Sequence, residues 1–377
     1  MQVQIKNLHI LSLERRYDID WLRVIAILAV YFHHIGMPFN GDDFHIMNAE
    51  SSKLLDDVMV YFEQFRLPLL FLVSGTGTVF AFSKRNWFQF FKERNYRLII
   101  PLIFGILFIV PPQTFYENYS NYSSYFDIYK SLDFEVNHLW FIGNLFIISV
   151  AVIPFIIFLR SKKSASFIRF VEKITAKKYG LFFIVVLLIM IKIITKKINP
   201  SDSKAITNIS STAFYGFFFI AGIIIASSTK IWTHLKNYRK VNFIFLIISS
   251  VLLYVYYFLP SKFLTPYFSI ATRWDIWYVV CCLVSWSSVI TLLGYGQVWL
   301  NKKSLLLKKC NEAIYPFYVL HQTVIVVFGF YIINLDLNIA LKIMLLLITS
   351  FPVIILIYRF LIYPFKIPRM LFGMKNK

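Results

Sequence analysis

Long apolar runs alternate with short, polar and mostly basic connections along the whole chain. Crossing a hydrocarbon layer about 30 Å thick takes roughly 20 mostly apolar residues in a helix, which satisfies its own backbone donors and acceptors where no water can. Windows of that length, bounded by charges, Pro and Asn, predict ten spans, at Asp20–Met37, Val58–Phe82, Leu98–Phe115, His138–Leu159, Gly180–Thr195, Asn208–Ser228, Val241–Leu259, Trp274–Leu293, Glu312–Ile333 and Ile339–Ile362. The expected fold is all-α and polytopic: a single membrane-embedded domain over residues 1–377, with spans at about 20–362 and a basic tail at 363–377. No fixed-period repeat or soluble appendage interrupts it, and the polar, aromatic stretch Tyr116–Asn137 is long enough to cap one face. Met1–Arg16 holds no apolar leader core and the first run carries Arg23 near its start, so the first helix is expected to be retained.

Composition agrees with this reading. Hydrophobic residues make up 58% and charged residues 15% of the chain, and mean hydropathy is +0.64, which excludes an ordinary soluble enzyme. The net charge of +20 would point to nucleic acid in a soluble chain. Here the basic residues lie between apolar runs, so the lipid bilayer is the expected partner and nucleic acid is not. Lys and Arg crowd alternate connections: Lys6, Arg15 and Arg16; Lys84, Arg85, Lys92, Arg94 and Arg97; Arg160 to Lys178; Lys230 to Lys240; Lys302 to Lys309; and the tail. The intervening connections carry far fewer, among them Lys53, Lys130, Lys262 and Arg273. Cationic connections stay cytoplasmic, so both termini are expected inside a multi-pass protein of the cell membrane, the inner or plasma membrane of a bacterium. Lys192, Lys196, Lys197 and Lys204 make the fifth outer connection the weakest part of this scheme. Cys281, Cys282 and Cys310 give no disulfide framework or thiol motif. A homo-oligomer is compatible with the sequence, which does not set the oligomeric state.

An ionisable group at membrane depth costs several kcal/mol on most scales and usually faces the bundle interior. On the first span Arg23 and His34 lie eleven positions apart, nearly on one face and about 16 Å apart along the axis. Arg23 reads as a snorkelling anchor or a functional cation; His33 and His34, beside Gly36 and Pro38, read as an interfacial pair or as a helix end facing a cavity. Glu63 and Arg66 at i,i+3 are expected to meet on one face, as a self-neutralising pair or as pocket groups. Ser74-Gly75-Thr76-Gly77 reads first as a close-packing seam, with Ser74 a pocket candidate. Arg94 and Arg97, also at i,i+3, offer two planar forks suited to phosphate, unless they serve only as topology determinants. His138, beside Leu139-Trp140-Phe141, and His321 are either satisfied core histidines or site groups.

Taken in order, these residues resemble the membrane acyltransferase 3 family, in particular its branch similar to the periplasmic-glucan succinyltransferase. The motifs are Arg23 with His34, Phe71-Leu-Val-Ser74-Gly75, Arg94-Asn-Tyr-Arg97, Pro111-Pro-Gln-Thr-Phe-Tyr-Glu117, His138-Leu-Trp140-Phe141 and Tyr315-Pro-Phe-Tyr-Val-Leu-His321, whereas residues 160–270 add little beyond hydropathy. The resemblance implies transfer of an acetyl or succinyl group from cytoplasmic acyl-CoA, a cosubstrate, to a hydroxyl of an extracytoplasmic carbohydrate, with no resident cofactor and no metal. On that reading His34 is the general base and His321 orients the acceptor. Arg23, Arg94 and Arg97 bind the donor, and Ser74, Glu63, Arg66, Glu117, His138 and Trp140 line the pocket. His33 doubles the histidine, so spacing alone assigns His34. The other reading is a glycan or acylated-molecule transporter using His, Glu and Arg as a relay, opposed by the lack of matching broken-helix halves.

Overall fold

The computed structural model describes residues 15–375 other than 84, 202 and 206. Lys6 and Lys84 of the basic connections, and Asn376 and Lys377 of the tail, lie outside the described residues. Among those described there are helices and no strands. Among the described residues eight helices are long and apolar enough to cross a membrane: α1 (Tyr17–Asn40), α2 (Lys53–Phe82), α3 (Trp87–Glu117), α4 (Ile209–Ala226), α5 (Arg239–Phe258), α6 (Ile270–Trp299), α7 (Leu305–Ile332) and α8 (Ile339–Ile362). Asn137–Ala151 and Ile153–Leu159 meet at 45° and make a ninth if taken as one broken span. The run expected to span at Gly180–Thr195 is instead a single turn, Gly180–Phe183, followed by Val185–Ile198. The latter's 14 residues rise about 21 Å, short of the apolar layer. Several helices start at the polar residues that bound the apolar runs: Asn208, Ser269, Ser304 and Asn338 each accept a bond from the backbone N–H three residues on.

The chain forms two compact units, one from residues 1–23, 64–87 and 148–303, the other from 24–63, 88–147 and 304–377. In the first, α4 lies directly on the Arg66–Phe82 part of α2. A Cβ on Gly75 would sit 2.0 Å from the Phe219 carbonyl oxygen, and one on Gly222 2.1 Å from that of Leu72. The Ser74–Gly77 motif is therefore a backbone-to-backbone seam, the use small residues have where apolar surface burial cannot drive helices together. A turn at Gln64 and Phe65 interrupts α2, and the Ser285 hydroxyl donates to the Gln64 carbonyl at 2.6 Å.

In the second unit two ends are defined by contacts. At one end His45, beyond α1, meets Glu117 at the end of α3, and Tyr116 meets Tyr331 near the end of α7. At the other, Tyr315 near the start of α7 donates to the Arg97 carbonyl, and Arg97 Nε donates to the carbonyl of Gly373 in the tail. Between them α3 contains two π-turns, Asn95–Ile99 and Gly105–Ile109, the second leading into Pro111-Pro112. Proline lacks the N–H that a carbonyl four residues earlier would use. For Pro111 that carbonyl is Leu107 O, to which Tyr129 supplies a donor at 3.0 Å, and Thr323 separately donates to Ile109 O at 2.6 Å. The Thr323 bond ties α3 to α7 just before Gln113.

Candidate functional site

Polar side chains from α1, α3 and α7 meet within the second unit. His34 Nδ1 lies 2.8 Å from His321 Nε2, and the rings are 5.0 Å apart. His321 is 1% exposed, while His34 is half-buried. The second ring nitrogen of His321, Nδ1, faces the backbone carbonyl of Tyr318. A carbonyl can only accept, so Nδ1 carries the proton. In the neutral ring Nε2 then holds the lone pair, and the bond between the histidines runs from His34 Nδ1–H to His321 Nε2. The basic lone pair of His34 is left on its Nε2. A backbone oxygen on α7 fixes, through one ring, which nitrogen of the other is basic, the part a buried carboxylate plays in a hydrolase triad.

His138 is oriented the opposite way. Its Nε2 donates to Val319 O at 3.0 Å and its Nδ1 faces Gln113 Nε2 at 3.5 Å, so both nitrogens are held within the bundle. Its own carbonyl accepts from Tyr318. The segment reaches α7 through Asn137, which adopts the left-handed backbone (φ 41°) that Asn tolerates better than most side chains. His138 is thus a buried strut beside His321, at a ring separation of 5.2 Å.

A chain of amides continues from it. Gln113 Nε2 donates to Thr323 Oγ1 at 2.6 Å, and Gln113 Oε1 accepts from Asn137 Nδ2 at 3.1 Å and Gln322 Nε2 at 3.0 Å. Gln322 Nε2 also donates to His45 Nε2 at 2.8 Å, which leaves His45 Nδ1–H for Glu117 Oε2 at 2.5 Å. Each proton in this series has one consistent place, and buried amides left half-satisfied would be costly. Phe44, next to His45, stacks on His34 at 6.1 Å.

The sequence reading pointed to His34, His321, His138 and Glu117, and the structure gathers them in this unit. His33 is buried with its ring 5.8 Å from that of His34. Trp140 is half-buried at the start of the Trp140–Ala151 helix, and Phe141 packs on Tyr318 at 5.5 Å. Arg94 and Arg97 lie at the opposite end of the unit and do not share the helical face expected of them. The π-turn Asn95–Ile99 begins between them, and its wider hydrogen-bond spacing breaks the α-helical i,i+3 register. Arg94 rests over the Phe90 ring at 4.8 Å, and Arg97 turns to Glu93 at 3.7 Å and to Gly373. Arg23, with Asp20 at 3.4 Å, belongs to the first unit, as do Ser74 and the buried Arg66. Glu63 ends the first segment of α2 and Arg66 begins the second, with the Gln64–Phe65 turn between them. His45, Gln113, Gln322 and Thr323 were not singled out. Their signal was uncharged amides inside apolar runs, and a histidine in the Gly41–Ser52 connection.

A model of the acyltransferase domain of the acyltransferase 3 family matches residues 16–359. The chain is 23% identical over 337 residues to glucans biosynthesis protein C of Escherichia coli (strain K12), covering 85% of this chain and 84% of that protein. The same identity and coverage hold for the proteins of that name from E. coli O17:K52:H18 (strain UMN026 / ExPEC) and O9:H4 (strain HS). No solved structure matches the chain. The domain match runs from the start of α1 nearly to the end of α8 and takes in every residue of the His34–His321 and Gln113–Glu117 clusters, so the chain belongs to the acyltransferase 3 family and is a multi-pass membrane acyltransferase.

Proposed function

We propose that this protein moves an acetyl or succinyl group from cytoplasmic acyl-CoA to a hydroxyl of an extracytoplasmic carbohydrate, from the inner or plasma membrane of a bacterium. The observation that carries the reading is the His34–His321 pair, because its hydrogen-bond direction leaves a basic nitrogen on the more accessible ring. His34 Nε2 takes the acceptor hydroxyl proton as the oxygen forms its bond to the thioester carbonyl carbon. The tetrahedral intermediate expels CoA as thiolate, which recovers the proton from His34, so the ester and free CoA leave and the enzyme is unchanged. His321 accepts a stronger bond from His34 Nδ1–H while His34 is positive. General-base assistance of this kind typically contributes about 10²–10⁴-fold.

Arg94 and Arg97 suit the phosphates of CoA, since guanidinium groups meet phosphoryl oxygens with paired donors. Tyr315, bonded to the Arg97 backbone, precedes His321 by six residues, about 9 Å of helix rise, a reach suited to an extended thioester arm. The glucan named for the E. coli relatives supports a carbohydrate acceptor. Ten spans with both termini cytoplasmic remain the topology we favour, with the Gly180–Phe183 and Val185–Ile198 helices together forming the span that neither makes alone. Two contacts support that arrangement: Tyr17 N–H bonds Asn301 in the basic connection between α6 and α7, and the tail bonds Arg97 in the basic connection before α3.

Purified protein supplied with isotope-labelled acetyl- or succinyl-CoA and neutral glycans should transfer label to the glycan, followed by mass. His34→Ala should abolish transfer and His33→Ala should be milder. Transfer at near-native rate by His34→Ala, or label on no glycan with either donor, refutes the proposal.

A further inference from the structure

At the Glu117 end of the second unit an aromatic surface adjoins the histidine cluster. Tyr116 and Tyr119 lie nearly parallel (11°) with centroids 6.3 Å apart, and Phe330 packs against both, at 4.9 and 5.1 Å. The Tyr116 and Tyr331 hydroxyls are bonded at 3.0 Å, which fixes the two rings relative to each other. Tyr119 is 53% and Tyr331 59% exposed, so these rings are rigidly backed yet present open surface. The patch is continuous with the proposed base: Glu117, beside Tyr116, bonds His45, and Phe44 beside His45 stacks on His34.

Charge narrows what such a surface accepts. Residues 116–137 hold Glu117, Asp127, Asp133 and Glu135 against Lys130, in a chain whose net charge is +20. Lys130 offsets Asp127 at 2.7 Å, leaving three carboxylates, and Tyr122 donates to one of them, Asp133, at 2.7 Å. Burial, and after it the charge of Glu117, raises the Glu135 carboxyl above its usual range. Aromatic residues that merely anchor a helix lie at the headgroup level of the bilayer. A surface with acids interleaved between its tyrosines repels anionic headgroups, and repels phosphorylated or carboxylated acceptors equally. An uncharged sugar suits it: the polarised C–H face of a pyranose rests on the electron-rich ring face, and its hydroxyls bond phenol and carboxylate oxygens.

We propose that Tyr116, Tyr119 and Tyr331 form a docking platform for an uncharged pyranose unit of the acceptor, and that the surrounding carboxylates select against anionic glycans. The inference rests on the acyltransferase reading above for its place in a reaction, but binding tests it separately from turnover. Full-length protein in detergent is titrated calorimetrically with a neutral gluco-oligosaccharide and with its singly phosphorylated form, alongside acceptor and donor KM. Tyr119→Ala and Tyr331→Ala should weaken neutral-glycan binding and raise acceptor KM about three- to tenfold, with donor KM and kcat unchanged. Tyr119→Phe should bind like wild type, and the phosphorylated glycan should bind more weakly than the neutral one. Both rings are exposed, so the variants are expected to fold, checked by monodisperse elution. Unchanged binding in both Ala variants, no binding by wild type, or equal binding of the two glycans overturns the platform. Glycan binding that is sensitive to Tyr119 but unaccompanied by any transfer leaves the platform standing and refutes the acyltransferase–acceptor reading instead.

Discussion

Replacing His321 tests the chemistry most directly, because its part is to accept one hydrogen bond. His34 Nδ1–H points to His321 Nε2 at 2.8 Å, and His321 Nδ1–H is held by the Tyr318 carbonyl. If His34 takes the acceptor proton as proposed, the bond becomes charge-assisted, worth about 1.5–3 kcal/mol. Its loss in His321→Ala should lower kcat roughly 10- to 150-fold, at about 1.4 kcal/mol per tenfold. Donor KM should not change, because Arg94 and Arg97 are untouched. Gln and Asn at this position separate the reasons. A Gln amide oxygen reaches about as far from Cβ as Nε2 does, whereas an Asn oxygen reaches only as far as Nδ1. His321→Gln should therefore recover much of the lost rate and His321→Asn should resemble Ala. Steady-state kcat and KM on protein of equal monodispersity and melting temperature supply the measurement. A Gln variant as slow as Ala refutes the acceptor role and assigns His321 a proton-transfer role of its own; near-native rates in all three variants remove it from the reaction.

Arg97→Ala should raise donor KM by roughly tenfold with the acceptor KM unchanged, since one charge-assisted phosphate bond is typically worth about 1.5–3 kcal/mol; a correctly inserted Arg94→Ala/Arg97→Ala double variant with native donor KM would move the CoA site elsewhere. Gly373→Val should act in the same direction, because even a Cβ there would lie 2.7 Å from the Arg97 carbonyl and the backbone has φ +63°; native donor KM in a folded Gly373→Val protein would show that the tail does not position Arg97. Gly75→Leu should prevent accumulation of folded protein, by overpacking typically costing at least about 1–3 kcal/mol, whereas Gly216→Ala in α4, where a Cβ meets nothing within 4 Å, should express normally. Expression of both at wild-type level would contradict the seam. A cysteine placed at Lys163 should resist an impermeant reagent in intact cells, and its labelling would reverse the topology proposed here.

Most spans are legible because each needs only a count of apolar residues. The run at Gly180–Thr195 is not one continuous helix, which hydropathy misses because it averages over position 184, where the helix is interrupted. The same blindness to backbone irregularity explains a second difference. Placing Arg94 with Arg97 on one face assumes an unbroken α-helix, and a π-turn intervenes. His34, His321 and His138 stand out because ionisable side chains are rare in apolar runs. Gln113 and Gln322 do not, since an amide carries no charge, yet they organise the cluster. Their partners lie up to 210 positions away in sequence, across helices that no local pattern connects.

A His–His pair and a Glu–His pair in the second unit differ in the direction of their bonds. His45 has a carboxylate partner, the arrangement that usually marks a general base, but its second nitrogen accepts from Gln322. Its lone pair is already engaged, so the Glu117–His45 pair holds the Gly41–Ser52 connection against α3 and α7. The His34 Nδ1–H meets a neutral imidazole, a weaker support for positive charge than a carboxylate. A neutral partner nevertheless suits a buried position: an anion beside His321 would carry the several kcal/mol penalty of a buried charge whenever His34 was neutral. The proposed reaction would meet His34 as a neutral base and need its positive form only between proton uptake and thiolate departure. A pair that is uncharged at rest and shares one proton at the transition state matches that cycle. Fixing the tautomer then falls to the Tyr318 carbonyl, a group whose protonation state never changes.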